Sequence, residues 1–269
     1  MIIFWLILAF LLLVLFLIAP SPKCSRARQY REKAFAHRGL HGSNYGAAEN
    51  CLKAFSLACK QGYGIELDVR FTKDRRLVVF HDDSLKRLCG MNANVDQLTL
   101  DELRSVVIRE TGERIPTFDE ALLVVNGRVP LLVELKNAPD MDGLSQAVYQ
   151  RLKTYPGEYI IESFNPKCLR WFRKHAPEVL RGQLTTCEKE VQKSHGFLLS
   201  FCLPNLLTNV ISRPDFIAYN ANVSFLAPVL QRAIFRTPMM AWTVRSEDLL
   251  NKVFLRGDGA IFEDFRPKT

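Results

Sequence analysis

Glu66 and Asp68 stand two residues apart in Ile65-Glu66-Leu67-Asp68-Val69-Arg70-Phe71, a run of strand-forming type. At a period of two, both carboxylates point to one face, while Ile65, Leu67 and Val69 point to the other, which must be covered. Adjacent carboxylates repel unless a cation lies between them, and a divalent metal ion is the usual partner. A polar turn at 73–76 leads to a second apolar run, Leu77-Val78-Val79-Phe80, that ends in His81-Asp82. An imidazole there can take or give a proton near neutral pH. Taken alone, the acid pair is better explained as two solvated carboxylates on an exposed strand with a lysine or arginine nearby. The pattern recurs, however. His37-Arg38 follows Ala34-Phe35-Ala36, and Glu134 and Lys136 close the run from Val129 at the same two-residue spacing. Polar residues thus gather at the carboxyl ends of four apolar runs, and buried charges without partners are too unfavourable to accumulate by accident. His41, His175 and His195 belong to no such pattern and read as solvated side chains or satisfied core polar groups.

The elements able to gather these groups alternate in type. Strands are expected at 34–36, 63–71, 76–81, 129–136, 159–164, 180–184, 216–219, 239–244 and 259–262. Helical spacers are expected from Asn50 to Lys60, from the Thr99/Glu102 capping box, from Thr117, from Gly143 to Lys153 and from Pro166 to His175. The run from Val129 to Lys136 is apolar nearly throughout, as in strands buried on both sides. This alternation predicts an α/β fold, a TIM (β/α)8 barrel, whose strand carboxyl ends converge on the face where active sites sit. Residues 186–215 are the least regular. Within them the apolar stretch Phe197 to Leu207 is expected as a buried barrel helix or a membrane-facing flap.

Residues 2–19 contain no charge, glycine or proline. Eighteen apolar residues suffice to span a bilayer, and neither a basic leader nor a small-residue cleavage site marks a signal peptide. The expected organisation is a single transmembrane helix over 1–20, a basic juxtamembrane linker over 21–33, and the barrel over 34–269. Lys23, Arg26, Arg28, Arg31 and Lys33 against Glu32 place half of the chain's net charge of +8 in that linker. Basic residues on the carboxyl side alone predict a single-pass membrane protein with its barrel in the cytoplasm, close to anionic headgroups. The rest of the charge is too diffuse for a nucleic-acid partner. Seven cysteines, an odd number with no CxxC, argue against a disulfide framework or a zinc site.

His37-Arg38-Gly39, Glu49-Asn50, Glu66-Leu67-Asp68-Val69, Thr72-Lys73-Asp74, Val79-Phe80-His81-Asp82, Ile115-Pro116-Thr117, Glu134-Leu135-Lys136, Ser163-Phe164-Asn165-Pro166 and Trp242-Thr243-Val244 occur in that order. The ordered set resembles the glycerophosphodiester phosphodiesterase family from about residue 34 to 265. The resemblance implies a TIM barrel that hydrolyses a phosphodiester with a divalent metal. It implies that Glu66, Asp68 and Glu134 hold the metal and that His37 and His81 are the acid/base pair, with metal ligation as the alternative role of His81. Arg38 and Lys136 would contact the phosphate, and Phe164 and Trp242 match apolar residues at the mouth. A site of carboxylate oxygens suits Mg2+ or Ca2+ better than zinc. The substrate expected is a glycerophosphodiester or, given the apolar terminus, a lysophospholipid. The alternatives are another phosphodiester-cleaving barrel, of phosphoinositide phospholipase C or sphingomyelinase D type, and a non-catalytic module that binds lipid headgroups. The chain departs from the family in Ala47-Ala48 where a proline is usual, in a longer loop at 40–47, and in Glu263-Asp264-Phe265 in place of a Thr-Asp pair.

Overall fold

Period-two alternation builds the molecule from two apolar layers. The computed structural model describes residues 1–186, 201–222 and 226–268. Its parallel strands are β1 (Ala34–Ala36), β2 (Gly64–Phe71), β4 (Leu131–Leu135), β5 (Tyr159–Ser163), β6 (Arg181–Thr185), β7 (Phe216–Asn220), β8 (Met239–Val244) and β9 (Gly259–Phe262). They pair in that order, and β9 pairs back with β1, closing an eight-stranded barrel. The outward residues Ile65, Leu67, Val69, Leu131, Val133 and Ile161 pack under the surrounding helices, against Phe55, Ala121, Leu144, Leu169 and Phe172. The alternate positions form an interior floor of Phe35, Leu132, Ile160, Phe216, Ala218, Met240 and Ile261. Two glycines make this floor possible. A Cβ on Gly64 would lie 2.5 Å from the Phe35 ring, and one on Gly182 would overlap Phe216.

The ninth strand, β3 (Leu77–Val79), is not part of the barrel. It runs antiparallel to β2 and pairs Val69 with Val79. The turn between them is too short for the crossover that a parallel neighbour requires. β2 therefore continues past the rim, and Glu66 and Asp68 lie within it rather than at its end. β3 descends back to the rim, where Phe80 donates its N–H to Asp68 O at 3.0 Å, and this delivers His81 to the mouth. Residues 78–115 form a small lobe with its own core, built on Val78, Phe80, Leu85, Val95 and Leu103. Its helix Leu100–Leu103 starts at the expected Thr99/Glu102 box, and Phe118–Val125 starts at Thr117 with a second such box, to Glu120. The helix expected from Asn50 begins at Leu52 and is capped by Cys51. Of the stretch Phe197 to Leu207, residues 197–200 lie outside the described ones, while Leu203 and Leu206 are buried and Phe201 is exposed.

The N-terminal region differs from expectation. Residues 2–18 form a helix, Ile2–Ile18, that ends at Ala19, where the backbone turns extended, just before Pro20. Its 17 residues rise about 26 Å, against roughly 30 Å of hydrocarbon. Among the described residues no helix is long and apolar enough to cross a membrane, so the transmembrane helix expected over 1–20 is not found. Residues 21–33 pack on the barrel. Ala27 and Tyr30 are buried in the floor, Ser21 N–H is donated to Pro214 O, and Ala260 N–H to Lys33 O.

Candidate active site

Above the apolar floor, the next inward position on five strands is polar. β1 leads into His37, β2 carries Glu66 and Asp68, β4 carries Glu134, β5 carries Glu162, and β9 ends beside Glu263. His37, Glu66, His81, Glu134, Glu162, Phe164, Trp242 and Glu263 line one cavity of about 510 Å³, together with Arg38. Of the residues singled out from the sequence for chemistry, seven line this cavity, Asp68 is buried beside Glu66 and Glu134, and Lys136 lines an adjoining cavity with His81, Glu134 and Phe164. Lys136 Nζ lies 2.8 Å from Glu134 Oε1 and 3.3 Å from Asp68 Oδ1. Phe164 and Trp242 meet edge to face, 5.8 Å between centroids.

Glu66, Asp68 and Glu134 are buried and offer ligand oxygens within 4.8 Å of one another. Burial and the repulsion of Asp68, Glu134 and Glu162 push the Glu66 carboxyl well above the usual range. Burial acts on Asp68 in the same sense. There it is outweighed by Lys136, His81, Arg38 and the Asn50 hydrogen bond, which hold the carboxyl well below the usual range. Asn50 adopts a left-handed backbone, φ +56°, and donates from Nδ2 to Asp68 Oδ2 at 2.8 Å. Arg38 is also left-handed, φ +57°, so that its N–H is donated to Glu66 Oε2 at 2.9 Å. Its Nη1 is donated to Glu49, while its buried Nε, 3.6 Å from Asp68 Oδ2, makes no hydrogen bond among the described residues.

The two imidazoles are set alike. His37 Nδ1 lies 2.6 Å from Glu263 Oε2, and His81 Nδ1 lies 2.7 Å from Asp82 Oδ1. A carboxylate at Nδ1 holds the proton there and leaves Nε2 as the reactive nitrogen. Nε2 of His37 is 4.0 Å from Glu66 Oε2. Burial lowers the His37 pKa below its ordinary value, and Glu263 only partly offsets this. Glu263 is itself depressed to about 2, because the His37 hydrogen bond, the His37 charge and Arg245 outweigh burial. Both shifts can hold together, with Glu263 ionised and the neutral ring donating Nδ1–H to it at pH 7. Arg87 joins the two halves of the site by gripping Asp82 at 2.6 Å and Glu49 at 2.7 Å. His41 is partly covered, His175 stacks on Trp171 away from the mouth, and His195 lies outside the described residues.

Sequence reasoning gave Glu162, Glu263, Asn50 and Arg87 no role. Glu162 carried the same signal as Glu134, an acid near the end of an apolar strand. Glu263 was visible only as a departure from a family pattern. Asn50 reads locally as a helix start, and nothing in the chain ties it to Asp68.

A sequence profile described as the Glycerophosphoryl diester phosphodiesterase family matches residues 37–266. A glycerophosphodiester phosphodiesterase of Bacillus altitudinis is 30% identical over 87% of this chain and 94% of its own length. One of Caldanaerobacter subterraneus is 34% identical over 56% of this chain, and that match spans 66% of the relative. Among solved structures, a phosphodiesterase of Oleispira antarctica in complex with the product sn-glycerol-3-phosphate superposes with a TM-score of 0.71. It is 25% identical and covers 88% of this chain and 94% of that one.

Proposed function

Because the chain belongs to the glycerophosphoryl diester phosphodiesterase family, we propose that its cavity hydrolyses a glycerophosphodiester to glycerol 3-phosphate and an alcohol, using a divalent cation and a histidine pair. The observation that carries this reading is three carboxylates with ligand oxygens within 4.8 Å of one another, two of which, Glu66 and Glu134, line a cavity shared with two carboxylate-oriented imidazoles. The donor set fits the cation. All three ligands are hard oxygens, and Asp68 Oδ1, buried and facing only Lys136 Nζ at 3.3 Å, makes no hydrogen bond among the described residues. Glu66, Asp68 and Glu134 would hold Mg2+ or Ca2+, which when bound supplies positive charge against the phosphate oxygens.

The protein's own groups do the rest. Arg38, with Nη1 anchored by Glu49 and Nε 3.6 Å from Asp68, lines the cavity and is placed to grip a phosphate oxygen, and its planar fork suits that task. Lys136 holds Glu134 and Asp68 in place by pairing with both. The neutral Nε2 of His37 takes the proton of the attacking hydroxyl. In a glycerol diester the substrate's own 2-hydroxyl already lies beside phosphorus, and proximity favours it over a free water. The phosphorus–oxygen bond to the alcohol breaks as His81 gives that oxygen a proton, and water then opens the cyclic phosphate with the proton roles reversed. Phe164 and Trp242 wall the cavity on its apolar side and exclude water.

We further infer a location at a membrane, with the barrel on the cytoplasmic side. Exposed apolar residues along the N-terminal helix, among them Phe4, Trp5, Phe10 and Phe16, and the exposed basic residues of 23–33 support it. Lysophospholipids are then within reach, and the activity on them would be of lysophospholipase D type. The test is a panel of glycerophosphodiesters and lysophospholipids with Mg2+, Ca2+ or EDTA, read by product identity. Glycerol 3-phosphate is expected from at least one diester with a divalent ion and none with EDTA. Its absence throughout, or its release at full rate in chelator, would sink the proposal.

A further inference from the structure

Register places a fourth acid beside the three. Asp68 pairs with Glu134 across β2 and β4, and Glu134 pairs with Glu162 across β4 and β5, so these carboxylates stand side by side on three adjacent strands. The inward neighbour of Glu162 on the same strand, Ile160, is sealed in the apolar floor. Glu162 is 1% exposed, and its Oε2 has no hydrogen-bond partner. Lys136 pairs with Asp68 and Glu134, and Arg38 lies 3.6 Å from Asp68, yet no ion pair reaches Glu162 among the described residues. An uncompensated acid in such a place is costly, and a well-packed apolar side chain would serve the fold better. Glu162 nevertheless lines the cavity. It is not one of the three acids whose ligand atoms lie within 4.8 Å of one another.

Resting on the cation site described above, we propose that Glu162 is its outer acid: it sets the affinity and charge of the site from beyond the three ligands, by its own charge and by accepting a hydrogen bond from the hydration shell of the ion. Such outer partners typically change metal affinity by about 10- to 100-fold. The test uses the full chain stripped of metal and titrated calorimetrically with Mg2+ and with Ca2+, alongside thermal unfolding with and without each ion. Glu162→Gln, which keeps the shape, is expected to bind the ion about 10- to 100-fold more weakly while its metal-free unfolding midpoint does not fall. Glu162→Asp, which keeps the charge, is expected to stay closer to the unaltered protein. Equal ion affinity in the Gln variant overturns the proposal, as does a variant whose substrate KM alone rises. If the unaltered protein bound no divalent ion, the cation reading itself would fall, and the two failures are thereby distinct.

Discussion

His37 and His81 each follow the end of a strand and carry a carboxylate on Nδ1, the arrangement the proposed acid/base pair requires. Replacing either by alanine should lower kcat by about 100- to 10,000-fold with the fold intact, as steady-state kinetics beside circular dichroism would report. The pH profile carries a sign. Burial depresses His37, so its neutral form predominates at pH 7 and the acid limb of kcat/KM should lie below pH about 6.5. Glu263 works in the opposite sense, raising His37 by its hydrogen bond and charge. Glu263→Gln should therefore shift the acid limb to lower pH and reduce kcat. A limb that moved upward, or stayed in place, would separate Glu263 from the chemistry. In a protein without Glu263 the stability profile should change as well. Its depressed carboxyl contributes stability above the unfolded value near 4.3, lost as pH falls towards about 2, so the Gln variant should lose less on acidification.

At the level of elements, the barrel floor depends on small residues set opposite large ones. Gly64 faces Phe35, and a methyl group there has nowhere to go. Gly64→Ala should destabilise by about 1–3 kcal/mol through overpacking, measured by denaturant unfolding. Thr117 accepts from Glu120 N at 3.1 Å, and Glu120 Oε2 accepts from Thr117 N at 2.8 Å. Thr117→Ala should cost about 0.5–2 kcal/mol without touching turnover. These caps could be read from the chain because they are local. The antiparallel placement of β3 was implicit in its short turn, yet counting it among the barrel strands hid how His81 reaches the mouth.

For the whole molecule, the N-terminal helix is hydrogen-bonded to the barrel through its last turn among the described residues. Asn209 Nδ2 and Gln231 Nε2 donate to Ile18 O at 2.8 and 2.5 Å, and Arg213 Nη1 donates to Phe16 O at 2.7 Å. These side chains satisfy carbonyls that a helix end leaves open. Beyond them the helix is apolar on all sides and largely exposed. A water-exposed patch of that kind marks an interaction site. Deleting residues 2–13 should leave the unfolding midpoint of the barrel unchanged and remove any need for detergent, as scanning fluorimetry and sedimentation would show. A lower midpoint would mean that this helix belongs to the barrel's core.

Which residues face together along one strand was decided by the chain itself, since alternation follows from covalent geometry. The pairs Glu66 and Asp68 and Glu134 and Lys136, the eight barrel runs and the helix caps all follow from spacings of four residues or fewer. What the sequence could not contain is the closure of the ring. His37 meets Glu263 across 226 positions, and Asp68 meets Asn50 across 18, because β9 returns to β1 and a left-handed turn aims an amide inward. The same closure sets Glu162 beside Glu134, with no ion pair among the described residues, and it packs Ala27 and Tyr30 into the floor. Contacts of that range depend on every strand's register at once, so they exist only after the barrel has formed.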